Sequence, residues 1–258
     1  MIELFDTHFH YDGTVPPLEF CAALPPEYDY KLMAVAANLE DSKRVRDFSD
    51  AIDFAWFACG IHPHEAADGR LDAADFDEFL HHKKLRAVGE IGLDYFYDFT
   101  PRDLQLKTFN FFLDFALANS LPAIIHLRDQ DGVFTAYEDA LKLLEPYASA
   151  GGKFVIHCFS ATPEWAKKFL DLGAYLGVTG MVTFKRSDNI RETLAAIPTD
   201  RLLIETDSPY LAPVPFRGKP DHPAYLVEIA KYAAGQKNMT LADFGRTTAG
   251  NGRKFFKI

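Results

Sequence analysis

A (β/α)8 barrel is the fold class this sequence predicts, and three observations predict it. Eight short apolar runs have strand character, longer helical patterns separate them from end to end, and the chain has 258 residues, close to the ~250 that such a barrel uses. The runs are 2–8 (IELFDTH), 31–37 (KLMAVAA), 54–61 (FAWFACGI), 85–93 (LRAVGEIGL), 122–127 (PAIIHL), 153–159 (KFVIHCF), 174–180 (AYLGVTG) and 202–207 (LLIETD). A helix is expected over 101–118, with Thr100 as N-cap, Pro101 at the first helical position and Asp103 at N3 near the positive end of the helix. No low-complexity stretch or Pro/Gly linker interrupts the alternation, so 1–258 reads as one domain. An open, doubly wound sheet is the alternative. It gains no support from a GxGxxG or GxxxxGK[ST] loop, because the sequence has neither.

The charge balance, 27 Lys+Arg against 37 Asp+Glu, gives a formal −10. Taken alone it argues against a protein that grips duplex nucleic acid through its phosphates, which usually needs a basic face. With 48% hydrophobic and 25% charged residues the chain is an ordinary globular one rather than a disordered or fibrous one. Cys21, Cys59 and Cys158 are odd in number and widely spaced, so reduced core thiols are expected rather than disulfides or a thiolate zinc site. The N-terminal MIELFDTHFH has neither a basic nor an apolar leader region, and no run of ~18 apolar residues offers a membrane span. A cytoplasmic protein is expected.

Six of nine histidines, His8, His10, His62, His64, His126 and His157, fall at or just after the C-terminal end of a predicted strand, the catalytic face of a barrel. Packing accounts for one histidine so placed, but poorly for six. His8 and His10 form an HxH whose two-residue period puts both rings on one side of the first strand, where they can pinch one metal ion. Glu90, in AVGEIGLDY, ends the fourth strand among apolar and glycine neighbours, and a buried carboxylate needs a cation. An ion pair with Arg128 would serve; histidines on neighbouring strand ends favour a metal-bridging role instead. His126 (IIHLRD) and His157 (VIHCFS) close the fifth and sixth strands alike and are read, with Glu90, as holding a second metal. Cys158, next to His157, is expected to face away from the interior. Asp207, in LLIETDSPYLAP, is read as a ligand of the first metal and a proton acceptor for its water, and Glu205, two residues earlier, as orienting a histidine ligand from behind. Mixed nitrogen and oxygen ligation suits Zn, Mn, Fe or Co, with Mg preferring more oxygen. Two such ions activate water for displacement at phosphorus.

The segments DTHFH, GIHPH, GEIGLDY, IIHLRD, HCFS and ETDSPYLAPVPFRGKP, in this order and spacing, resemble the TatD-type metal-dependent deoxyribonucleases of the amidohydrolase superfamily. The likeness runs from residue 6 to about 223, and the closing segment with Asn251 and the FF pair also fits. It implies a TIM-like barrel, two divalent ions and hydrolysis of phosphodiester bonds in DNA, often from a 3′ end. Carried over by motif, His8, His10, Glu90 and Asp207 correspond to ligands of the first ion, and Glu90, His126 and His157 to those of the second. His62 resembles the histidine near the scissile phosphate. Two departures stand out: Ala161 follows HCFS where the family commonly has Gly, and Pro220-Asp221-His222-Pro223 replaces the usual Arg-Asn-Glu-Pro after RGK.

The expected chemistry has Asp207 taking the water's proton while His62 and Arg128 or Arg217 stabilise charge on the phosphoryl group. His64 and Tyr210 join them as substrate contacts, with Tyr95, Phe96 and Tyr97 as further faces for unpaired bases. The substrate is expected to be DNA ends or single strands, with no membrane partner. Because Arg128, Lys185, Arg186, Arg217 and Lys219 all follow predicted strand ends, a locally positive rim is expected on an acidic body. The rival reading is an amidohydrolase acting on a small amide, lactone or other ester; Glu90, where many of those enzymes carry a carboxylated lysine, leans toward the nuclease.

Overall fold

The computed structural model describes residues 1–68, 72–97 and 99–258. Eight parallel strands, β1 (Ile2–Phe9), β2 (Tyr28–Val35), β3 (Ala55–Cys59), β4 (Leu85–Asp94), β5 (Ala123–Arg128), β6 (Phe154–Ile156), β7 (Tyr175–Val178) and β8 (Leu202–Ile204), form one sheet in sequence order. Helices lie between the strands, α1 (Pro17–Cys21), α2 (Leu39–Ala51), α3 (Asp77–Leu80), α4 (Arg102–Ala118), α5 (Thr135–Ser149), α6 (Pro163–Asp171) and α7 (Asp188–Ala196), and two more, α8 (Leu226–Gln236) and α9 (Leu241–Phe256), follow the last strand. This is the TIM-like (β/α)8 barrel that the alternation predicts. None of the described helices is long and apolar enough to cross a membrane.

The seam between β8 and β1 is closed largely by side chains. The Asp6 carboxylate accepts from Thr206 N (2.9 Å) and Thr206 Oγ1 (2.6 Å), Thr7 Oγ1 donates to Ile204 O (3.1 Å), and Asp207 N donates to His8 O (2.9 Å). These bonds tie the segment after β8 to the segment that carries the HxH, so closing the barrel also brings Asp207 to the histidines.

Inside the barrel, each strand contributes to an apolar plug that includes Phe5, Met33, Ala58, Ile124, Val155 and Leu203. From α9, Phe255 packs against Tyr175 (5.2 Å between centroids) and Phe256 against Phe5 (5.7 Å), which shuts the N-terminal end. Asn251 Nδ2 donates to Thr199 O (2.8 Å) and Leu202 O (2.9 Å) and fixes this closing helix below β8. With that end filled by hydrocarbon, polar groups collect at the C-terminal ends of the strands.

The observed strands differ from the predicted ones where function intrudes. β6 stops at Ile156 and β8 at Ile204, three residues before their predicted ends. Cys158 (φ 45°) and Asp207 (φ 63°) adopt left-handed backbone, which breaks the alternation that a strand would impose. Cys158 therefore lines the cleft above the barrel instead of facing away from it. Thr100 is not the cap of α4: Pro101 holds the N-cap position, while the Thr100 hydroxyl donates to His64 O (3.1 Å). The reason is tertiary, since the loop before α4 must reach the loop after β3.

Candidate metal centre

Four side-chain atoms converge above the C-terminal ends of β1, β4 and β8. His8 Nε2 and His10 Nε2 are 3.2 Å apart; each lies 3.5 Å from Glu90 Oε2 and 3.5–3.6 Å from Asp207 Oδ1. For metal–ligand bonds of about 2.0–2.1 Å, the edges of a tetrahedron are about 3.4 Å, so this is the spacing of atoms around one ion. His10 Nδ1 donates to Val35 O (3.0 Å), which leaves Nε2 as the lone-pair nitrogen of the neutral ring, the form a metal takes. Burial, then the charge on His157, holds His8 below the ordinary imidazole range, toward the neutral form that binds a metal.

The other oxygen of the same carboxylate faces a second group. Glu90 Oε1 lies 2.7 Å from His157 Nε2 and 2.9 Å from His126 Nδ1, and those two nitrogens are 3.3 Å apart. His62 Nε2 stands farther back, 3.8 Å from Glu90 Oε1. Glu90 is 2% exposed, yet ionised: burial pushes its carboxyl up, but the neighbouring His157, His62 and His8 and the bond from His126 hold it well below the usual carboxylate range. Burial pulls His157 down, but Glu90 and Glu205 outweigh it and raise it well above an ordinary imidazole. One anionic group thus sits between two clusters of nitrogen donors, an arrangement that two cations would neutralise.

Glu205 is buried behind His157. Its Oε1 accepts from Cys158 N (2.6 Å) and lies 3.5 Å from His157 Nδ1, and its Oε2 accepts from Thr7 Oγ1 (3.2 Å). The pocket for this carboxylate exists because residue 177 lacks a side chain: a Cβ on Gly177 would lie 2.4 Å from Glu205 Oε1 and 2.6 Å from Cδ and Oε2. Gly177→Ala is expected to cost about 1–3 kcal/mol in urea unfolding and to weaken the ion held by His157. Stability and metal affinity both equal to those of the parent chain would contradict this.

The ligand groups form the floor of a cleft of about 790 Å³ whose walls include Arg44, His64, Tyr97, Phe99, Arg128 and Tyr210. Phe99 and Tyr210 are 63% and 61% exposed on the cleft walls, and Phe99 stacks on Tyr97 with centroids 5.0 Å apart. Arg128 lies over Phe96 (4.2 Å) and Tyr97 (4.9 Å). Tyr95 is buried, its hydroxyl on Asp139, and belongs to the packing. Arg217 does not line the cleft; its guanidinium packs 3.7 Å from the centre of the Phe184 ring. The positive rim expected from the sequence is likewise absent among the described lining residues: its only Lys or Arg side chains are Arg44, paired with Asp41, and Arg128, against carboxylates that include Asp12, Asp41 and Glu65. Arg44 and Asp94 escaped sequence reading. Asp94 had a usable signal, since it lies two strand periods after Glu90.

A parallel barrel with a carboxylate-bridged set of histidine and aspartate donors at its C-terminal rim belongs to the metal-dependent hydrolase class of TIM-like proteins. The family model described as TatD related DNase matches residues 5–257, and the chain belongs to that family. It is 35% identical over 261 residues to the uncharacterized metal-dependent hydrolase YabD of Bacillus subtilis, covering 99% of each chain. It is 36% identical over 237 residues to the 3'-5' ssDNA/RNA exonuclease TatD of a Rahnella strain, covering 88% of this chain and 87% of that one. Among solved structures, the TatD homolog YJJV of Escherichia coli superposes with a TM-score of 0.87 at 25% identity, covering 99% and 98% of the two chains.

Proposed function

We propose that this protein is a hydrolase of phosphodiester bonds in DNA that uses two divalent ions and acts on 3′ ends or single strands. The observation that carries it is the Glu90 carboxylate, with one oxygen toward His8 and His10 and the other toward His126 and His157. His8, His10, Glu90 and Asp207 would hold one ion; Glu90, His126 and His157 the other; Zn, Mn, Mg, Fe and Co are the candidates. When bound, such a pair supplies Lewis acidity to the phosphate and lowers the pKa of water. Asp207 then accepts the proton of the attacking water. His62 and Arg128 meet the phosphoryl oxygens from the cleft wall, with His64 beside them. Tyr210 on one side and the Tyr97–Phe99 stack on the other offer faces to unpaired bases, an interaction that every base can make. The 3'-5' exonuclease named among the relatives supports this substrate class. The unpaired Cys21, Cys59 and Cys158 suit the reducing cytoplasm.

Few cations line the cleft, so the ions become the main phosphate anchor, and long duplexes should be held poorly. Incubating one preparation with 3′-labelled single- and double-stranded DNA and RNA, with Mn, Mg or chelator, tests the proposal. Metal-dependent shortening of single-stranded DNA from its 3′ end, abolished by chelator, is the expected result. No hydrolysis of any phosphodiester, with turnover of cyclic amides or lactones instead, would replace it by the amidohydrolase reading. Tight metal-free binding to duplex DNA would contradict the account of charge.

A further inference from the structure

The cations that follow β7 and β8 stand outside the cleft, together. Lys185 and Arg186 come after β7, Arg217 and Lys219 after β8, and all four are exposed. The two segments are bound to each other: Thr183 Oγ1 accepts from Val214 N (2.9 Å), and a Cβ on Gly180 would lie 2.1 Å from Leu211 O, so the backbones meet where residue 180 has no side chain. Arg217 reaches across and packs 3.7 Å from the centre of the Phe184 ring, the residue before Lys185. Stacking occupies the face of a guanidinium and leaves its N–H edge for a phosphate. Lys219 N donates to Phe216 O (3.0 Å), which closes the turn that carries Arg217, and Phe216 is itself stacked on Tyr225 (3.9 Å between centroids). None of the four cationic side chains is in an ion pair among the described residues; the neighbouring carboxylates Asp188 and Glu228 pair with Arg191 and Lys231.

We propose that Lys185, Arg186, Arg217 and Lys219 form a track for the backbone phosphates of a single strand, holding the part of the substrate that extends beyond the cleft. The inference rests on the nucleic-acid reading of the metal centre and adds the side of the barrel over which the strand runs. Met181 and Leu211, on the same two segments, line the cleft, so the patch begins at its edge. Lys185 is four residues past Met181, at most about 14 Å along an extended chain. Over β1, β2 and β3 the cleft is lined instead by the carboxylates Asp12, Asp41 and Glu65. A polyanion that leaves the cleft is repelled over β1–β3 and attracted over β7–β8, although the chain as a whole is acidic. Phosphate contacts of this kind are independent of base sequence and weaken with salt.

Lys185→Ala with Arg186→Ala removes two exposed cations and touches neither the core nor the metal centre. Fluorescence anisotropy of a labelled oligothymidylate of about 15 nucleotides, with chelator present, reads binding without cleavage. The parent is expected to bind weakly and in a salt-dependent way. The double variant is expected to bind about 10- to 30-fold more weakly at about 0.1 M salt, and to flatten the plot of log affinity against log salt by about 1.4, at about 0.7 for each phosphate contact of a single strand. Lys254→Ala with Lys257→Ala, at the C-terminal end of α9 and so away from the cleft, changes the net charge equally and is expected to bind as the parent does. Equal weakening by the two double variants, or a salt slope unchanged in the first, overturns the proposal. With Mn, the advantage in kcat/KM of that oligonucleotide over a dinucleotide is expected to shrink by a similar factor through KM; a loss carried by kcat alone counts against the track. A parent chain that binds in chelator but cleaves no phosphodiester defeats the nuclease reading and leaves the track standing. One that cleaves oligonucleotides but shows no salt-dependent binding in chelator defeats the track and leaves the nuclease.

Discussion

Glu90→Gln is expected to lower metal-dependent turnover by more than about 100-fold while the barrel stays folded. Removing the outer support of a ligand typically costs 10- to 100-fold, and Glu90 is read as a ligand in both groups. Glutamine keeps one carbonyl oxygen and presents an NH2 on the other side, so one of the two nitrogen clusters, His8 with His10 or His126 with His157, meets a donor in place of an acceptor. The negative charge between the clusters disappears as well. Two readouts check this: metal content of the purified variant, expected to fall below that of the parent, and single-turnover cleavage of a labelled oligonucleotide. A variant that retains two ions and more than about a tenth of parental turnover would remove Glu90 from its bridging role.

Asp221→Asn is expected to stabilise the metal-free protein by about 2–4 kcal/mol at pH 8, and by much less at pH 5. Asp221 is 6% exposed on the loop after β8; Oδ1 accepts from His222 N (2.8 Å), while Oδ2 is buried without a partner among the described residues. Burial, against the His222 amide and with the charge on Asp207, pushes this carboxyl up to about 8. The folded chain thus holds the proton more tightly than the unfolded chain, whose aspartate titrates near 3.9. Below about pH 4 both states are protonated and nothing is lost. As pH rises toward 8 the unfolded state releases its proton and the folded state does not, so stability falls; above about 8 the loss is complete. Asparagine, neutral throughout, removes that dependence. Thermal melts of both chains from pH 5 to 9 should diverge with rising pH and then run parallel. Parallel curves across the whole range would contradict the assignment.

Much of this molecule is legible in its residues for a simple reason: strand and helix periodicities are local. The eight apolar runs fall on the eight strands, and a two-residue period suffices to put His8 and His10 together. A carboxylate with no sequence-adjacent cation, among apolar and glycine neighbours, marks Glu90. Other features depended on chain segments far apart. The turns at Cys158 and Asp207 put φ above zero, so the alternation that would have directed Cys158 outward does not apply. Glu205 reaches its place because Gly177, on the neighbouring strand, leaves the space. Asp94 is two strand periods from Glu90, but its partners, His64 and His126, come from other β/α units. Arg217 follows a strand end in sequence, yet a phenylalanine ring takes its guanidinium.

The sequence by itself therefore determined the barrel and which candidate donor residues stand at its rim, because periodicity, burial and ligand chemistry are properties of each segment. Tertiary structure decided which oxygen of Glu90 serves which histidine pair, which ring nitrogen is left free, and which cations reach the cleft. Those outcomes follow from distances of 2.7–3.6 Å between atoms of separate β/α units, and only the closed barrel sets them.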